Sequence, residues 1–259
     1  EFRRVLFRSW GTPFGMLIEH LIDRGGGQTG HQSNVGELGD FYRAARVKFD
    51  SDAAFADRAR QRVVLLQGGD VRTLELWREL VEISKLHFFA IYDKLGVTLQ
   101  PTDIRGESAY NPVLADVAAE LERLGLARVN DGALCVFAPG FENREGEPLP
   151  LIVRKQDGGF GYAATDLAAL RYRTQTLRGT RLLYVVGSPQ AQHFAMVFAV
   201  GTLAGWLTSP VRAEHVAFGS VLGADKKMLK TRAGDAVRLE ALLDEAVERA
   251  EAEIGRAHV

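Results

Sequence analysis

The sequence predicts an α/β protein: half of a doubly wound, Rossmann-like parallel sheet, preceded by a mostly helical region. Three observations carry this reading. From Leu149 onward, segments with strand character alternate with segments of helical character, the grammar of βαβ units. Leu182–Val186 is an unbroken apolar run, the pattern of a strand buried on both faces of a parallel sheet. Between Glu37 and Leu99, apolar residues recur at three- and four-residue spacing, as on the buried stripe of amphipathic helices.

Taken in order, Gly25–Gly36 is rich in Gly, Ser, Asn and Gln without apolar periodicity and reads as a loop. Three helices follow. Their stripes are Leu38, Phe41, Tyr42 and Ala45; then Phe55, Ala59, Val63 and Leu66; then Leu76, Leu80, Ile83, His87 and Ile91. Gln67-Gly68-Gly69-Asp70 separates the second from the third, and Asp70 is a candidate N-cap. Val97–Leu99 is a candidate short strand, and Val113–Leu124 is a further helix, with Gly125 placed for a left-handed C-cap. Asn130-Asp131-Gly132 lies between two apolar-alternating arms, which predicts a hairpin over Arg128–Phe137. Asn143–Pro148 is another turn. The alternating part then reads as strand Leu149–Lys155, turn, strand Phe160–Ala164, helix Thr165–Leu177, strand Arg181–Gly187, helix Pro189–Trp206, strand Glu214–Gly223 and a closing helix Val237–Ala252.

Composition bounds the function. The 259 residues carry a formal net charge of -1, with 46% hydrophobic and 25% charged side chains, so the chain reads as an ordinary soluble globular protein. No apolar stretch approaches the roughly 18 residues that a spanning helix needs, and the near-neutral balance gives no reason to expect coating of nucleic acid or a membrane. Cys135 is the single cysteine, which excludes an internal disulfide framework and a cysteine-based zinc site and suits a reducing cytoplasm. Residues 1–9, EFRRVLFRS, and 253–259, EIGRAHV, can be back-translated into reverse-complementary DNA that looks like a sequencing-library adapter. Both ends are therefore set aside as artefact, in preference to a basic N-terminal arm built on Arg3, Arg4 and Arg8.

In a doubly wound sheet, ligands bind beyond the carboxyl ends of the strands. That rule selects Tyr162–Asp166, Gly187–His193 and Phe218–Thr231. The last segment holds Lys226, Lys227, Lys230 and Arg232, a cation cluster suited to a polyphosphate. Asp166 could cap its helix, or it could take a guanidinium in bidentate fashion with the Tyr162 phenol beside it. Gln190, Gln192 and His193 open the next helix, and His193 by itself reads as a structural or surface side chain. No phosphate loop of the Gly-x-x-x-x-Gly-Lys-Ser/Thr type, nucleophile elbow or His-Glu-x-x-His is present, and His20, His31 and His87 lack metal-ligand spacing.

Together these residues resemble a family. KMLKT at Lys227–Thr231 is similar to the KMSKS loop of class I aminoacyl-tRNA synthetases. WGTPFGMLIEHL from Trp10, FYRAARVKFD from Phe41, YDKLGVTL from Tyr92, GESAYNPVL from Gly106, DGGFGYAATDLAALRYR from Asp157, SPQAQHF from Ser188, FGSVLG from Phe218 and KTRAG from Lys230 resemble the arginyl-tRNA synthetases, in that family's order. The likeness covers Trp10–Ala252. It implies a connective insertion over 10–148, mostly helical with a hairpin, and over 149–252 the second, C-terminal half of the Rossmann-like class I catalytic fold.

The resemblance also implies an activity: ATP-dependent conversion of arginine to arginyl-adenylate, followed by transfer to tRNA(Arg), by a monomer in the cytoplasm. By position, Tyr162 and Asp166 match the residues that hold the substrate guanidinium, Gln190 a glutamine of the arginine pocket, and Trp10 a tryptophan near its amino-acid end. Phe218 and Gly219 match the adenine segment. Lys227 and Lys230 match the catalytic lysines that close on the phosphates. Magnesium would accompany ATP, and zinc is not expected. The His-x-Gly-His motif of class I enzymes is absent from the sequence, so the chain alone is expected to be an inactive piece that forms negligible adenylate. The competing readings are a non-catalytic paralogue that binds tRNA or a partner, and another class I synthetase.

Overall fold

The computed structural model describes residues 10–25, 35–219 and 239–257. Four helices form the first part: α1 (Thr12–Asp23), α2 (Val35–Ser51), α3 (Ala53–Gln67) and α4 (Val71–Lys94). Helices α2 to α4 are those predicted by periodicity. Asp52 caps α3 by accepting from Phe55 N at 3.0 Å, and Asp70 caps α4 as predicted, accepting from Thr73 N at 2.8 Å. Helix α1 was not predicted as an element. It buries Phe14, Met16, Leu17, Ile18 and Leu21 in one cluster with Phe55, Ala59, Leu66, Leu76 and Leu80.

Helices α1 and α3 touch backbone to backbone at Gly15. A Cβ there would overlap the carbonyl oxygen of Ala59 and come within 2.6 Å of Val63 Cγ2. Gly15→Ala is therefore expected to destabilise the fold by about 1–3 kcal/mol through overpacking, although alanine is the better helix former. Denaturant unfolding checks this, and an unchanged midpoint would refute the close approach. Beside the contact, the buried carboxylate of Glu19 accepts from Arg62 Nε at 2.6 Å and Arg58 Nε at 3.2 Å, while Arg62 Nη1 donates to Thr73 Oγ1 at 2.9 Å.

After α4 the chain is irregular over residues 97–100. The strand predicted at Val97–Leu99 does not form, because a strand exists through ladder hydrogen bonds and this segment pairs with no described strand. Two 3-10 turns, Pro101–Asp103 and Glu107–Val113, lead into α5 (Leu114–Arg123), with Gly125 at φ +69° as predicted. The hairpin is also as predicted: β1 (Ala127–Asn130) pairs antiparallel with β2 (Ala133–Val136). Asp131 and Gly132 both take positive φ between them, the primed turn that matches strand twist.

The next two segments differ from expectation. β3 (Leu151–Arg154) was placed in the parallel sheet, yet it pairs antiparallel with β2 and completes a three-stranded sheet. The strand predicted at Phe160–Ala164 is only an isolated bridge from Phe160 to Arg154, and α6 (Tyr162–Arg171) starts at Tyr162. Alanine and leucine dominate that run, and their helix propensity outweighs a two-residue alternation too short to define a strand. A π-turn over Tyr172–Thr176 closes it.

The parallel sheet consists of β4 (Arg181–Gly187) and β5 (Arg212–Phe218), in register from Arg181 opposite Arg212 to Gly187 opposite Phe218, with α7 (Ala191–Leu203) between them in sequence. β4 alternates: Leu182 and Tyr184 are buried, whereas Leu183 is 51% and Val185 65% exposed. The expectation of burial on both faces is therefore corrected. The described helices cover one side of β4–β5 and leave the other side open.

Helix α8 (Leu239–Ala257) overlaps the predicted closing helix, whose first residues fall outside those described, and extends to Ala257. Lys94 ties the end of α4 to α8 through Glu240 at 2.9 Å and Asp244 at 3.0 Å. A second core cluster runs from Tyr110, Leu114 and Val117 through Leu134, Val153, Leu167 and Leu170 to Phe194, Val197 and Trp206, so both sheets share it. At its rim Glu120 accepts from Trp206 Nε1 at 2.9 Å and from Arg171 Nη1 at 2.5 Å. Burial pushes the Glu120 carboxyl up, but these two donors outweigh it and hold it below the usual glutamate range. No helix among the described residues is long and apolar enough to cross a membrane.

Candidate active site

The carboxyl ends of β4 and β5 lie side by side at Gly187 and Phe218. Ser188 Oγ donates to the Phe218 carbonyl at 2.8 Å and fastens the two ends together. The Phe218 ring stands over Gly187: a Cβ on that glycine would lie 3.6 Å from it. Phe218 itself is 56% exposed, an aromatic face presented to solvent beside the strand ends, and Gly219 follows it. Lys227 and Lys230, with the rest of the cation cluster, lie outside the described residues.

Asp166 sits inside α6, whose N-cap is Gly161, so the alternative role of Asp166 as helix cap is overturned. Its side chain is 1% exposed. A buried carboxylate must be hydrogen-bonded or paired to remain there. One partner is His193 near the start of α7, whose Nε2 lies 2.7 Å from Asp166 Oδ2. The sequence reading singled out both residues without joining them. Their common placement at the C-terminal edge of the sheet was the available signal. Gln190 occupies the N-cap position of α7 and is exposed.

Tyr162 opens α6 and is half-exposed, with its phenol oxygen 3.7 Å from the position a Cβ on Gly11 would take. Gly11 is held there through Trp10. The Trp10 amide donates to Glu107 Oε2 at 3.2 Å, its indole Nε1 to Asn111 Oδ1 at 3.1 Å, and its carbonyl accepts from Gln67 Nε2 at 3.1 Å. The indole also meets Trp77 edge-on at 5.0 Å. The structure thus brings the Trp10–Gly11 segment to Tyr162, although Trp10 itself is engaged by Glu107 and Asn111.

Arg173 and Tyr184, which feel the charge of Asp166, belong to a set of cation–aromatic contacts that sequence pattern does not report. Arg105 stacks over Tyr172 at 4.0 Å and Tyr110 at 5.1 Å, and Arg173 stands over Tyr184 at 4.9 Å. Burial pushes the Tyr184 phenol up; Arg173 opposes this and the Asp166 charge adds to it. Burial alone would lower Arg173, but Tyr184, Tyr110 and Asp166 outweigh it and hold the guanidinium above its ordinary value. The field of Asp166 therefore already favours a guanidinium. A desolvated carboxylate of this kind has the charge and geometry to pair with a planar cation. Among the described residues, no group of three His, Cys, Asp or Glu side chains could hold a metal ion.

Comparison with known proteins shows the family. Residues 3–258 match the family described as tRNA synthetases class I (R), catalytic domain. The chain is 56% identical over 247 residues to the arginine–tRNA ligase of Thermobifida fusca, covering 95% of this chain and 43% of that protein. It is 52% identical over 247 residues to the arginine–tRNA ligase of a Nostoc species, covering 95% of this chain and 42% of that one. Among solved structures, the crystal structure of arginyl-tRNA synthetase from Plasmodium falciparum superposes with a TM-score of 0.78 at 27% identity, over 99% of this chain and 40% of that one. The chain thus spans less than half the length of these relatives.

Proposed function

Because the chain belongs to the class I tRNA synthetase (R) catalytic-domain family, we propose that it serves arginine–tRNA ligation. ATP converts arginine to arginyl-adenylate with release of pyrophosphate, and the arginyl group then passes to the terminal adenosine of tRNA(Arg). Asp166 takes the guanidinium of arginine, Tyr162 closes over it, and Gln190 lines the same pocket. Trp10 fixes the segment at the amino-acid end. Phe218 and Gly219 receive adenine, and Lys227 and Lys230 close on the phosphates. Magnesium would accompany ATP as its counterion. The setting is the cytoplasm, the working form a monomer. The lone, buried, free Cys135 suits the first, and family likeness supports the second.

The observation that carries this reading is the buried carboxylate of Asp166, placed on α6 at the C-terminal edge of the parallel strands with Tyr162 one turn before it. A carboxylate buried to this degree favours a cationic ligand head group over a neutral one. Titration of the 259-residue chain with L-arginine and with L-citrulline, followed by NMR, tests it. The two ligands share shape and differ in the charge and fork of the head group. Arginine is expected to bind at least about thirtyfold more tightly, the discrimination of a site built for a charge-assisted bidentate pair. Equal response to both ligands, or to neither, would remove Asp166 from the role.

A further inference from the structure

Resting on Asp166 as the guanidinium partner, we propose that His193 is a positioning residue for arginine: its imidazole Nε2–H holds the plane of the Asp166 carboxylate in the orientation that a guanidinium fork requires. The terminal torsion of an aspartate is broad and two-fold, so backbone and packing alone leave the carboxylate plane loosely defined. A guanidinium is planar and rigid, and its two parallel N–H···O bonds form only if the carboxylate lies nearly in its plane.

His193 supplies a constraint from outside α6. Its Nε2 meets Asp166 Oδ2 at 2.7 Å, and the ring is itself fixed, edge-on at 5.2 Å to Phe194, whose side chain is 2% exposed. A carboxylate at this distance needs a proton between the heavy atoms, so Nε2 is the donor. The bond fastens α6 to α7 at the residue that recognises the side chain, and α7 is also the helix opened by Gln190. Arg173 and Tyr184 feel the charge of Asp166. They act on its potential, whereas the bond from His193 acts on its orientation.

Glutamine carries an amide nitrogen at the same bond count from Cα as the imidazole Nε2, whereas asparagine is one bond shorter. In the 259-residue chain, His193→Gln is expected to keep arginine affinity within about threefold. His193→Asn is expected to weaken it about tenfold, the loss of one net hydrogen bond, with citrulline affinity unchanged. A purely structural role would weaken both ligands together and would not separate Gln from Asn. Long-range proton–nitrogen NMR of the unaltered chain needs no variant: it must show the His193 proton on Nε2, and an Nδ1–H neutral tautomer overturns the proposal. Arginine binding by His193→Asn equal to that of the unaltered chain overturns it as well. If Asp166→Asn also leaves arginine binding intact, the functional reading falls. If only Asp166→Asn matters, that reading stands and the role of His193 falls.

Discussion

Asp166→Asn is expected to weaken arginine binding by about 2–5 kcal/mol, from roughly thirtyfold to several thousandfold, and to erase the preference for arginine over citrulline. The magnitude follows from what the substitution removes. The side chain is 1% exposed, so its charge is poorly screened by water and its interaction with a guanidinium is correspondingly strong. Asparagine keeps the shape and can still accept the His193 proton, so the fold survives and the loss is read in binding. One oxygen becomes an amide that repels the incoming N–H donor instead of accepting it. Parallel titrations of the two proteins, with thermal unfolding to confirm matching stability, measure the effect. An Asn variant that still prefers arginine would show that the cation is held elsewhere.

The second large effect concerns stability. Glu19→Ala is expected to cost about 3–5 kcal/mol, because it leaves a guanidinium without its buried partner. Glu19 is 5% exposed and Arg62 19%, so this pair lies well inside the helical part, whereas Arg58 is 44% exposed and its share is largely screened. Arg62 also donates to Thr73, next to the cap of α4, so one carboxylate on α1 organises α3 and the start of α4 together. Replacing both partners by apolar side chains, Glu19→Leu with Arg62→Met, is expected to recover most of the loss. Denaturant midpoints of the single and paired variants decide it: a single-variant loss below about 1 kcal/mol would place the pair among ordinary surface contacts.

The parts of this architecture legible in the sequence are those specified by neighbours in the chain. Helices α2 to α4 follow from periodicity, Asp70 from its place before a periodic run, and the primed turn at Asp131-Gly132 from residues that tolerate positive φ. What was misread depends on partners distant in sequence. β3 was read as part of a βαβ unit, yet its ladder is made with β2, a choice that local pattern does not encode. The apolar run in β4 indicated two buried faces, but the pleat presents Leu183 and Val185 to an open side. At the candidate site, the sequence singles out Asp166, Tyr162 and Gln190, and the structure places the first two on α6 and the third at the start of α7. The bond from Asp166 to His193 joins residues 27 positions apart on different helices. Neither spacing nor composition reports it.

The two hydrophobic clusters share no buried residue, and one hydrogen-bonded link between them is Trp10, donating to Glu107 and Asn111 on one side while its ring rests on Trp77 of the other. Trp10 is therefore one point of coupling between the halves, beside the approach of Gly11 to Tyr162. Melting of the α1–α4 half need not melt the sheet half, so calorimetric and van't Hoff enthalpies need not coincide. Loss of the Trp10 clasp would free Gly11 from Tyr162, and the amino-acid site would then register the state of the helical half without any change in its own residues.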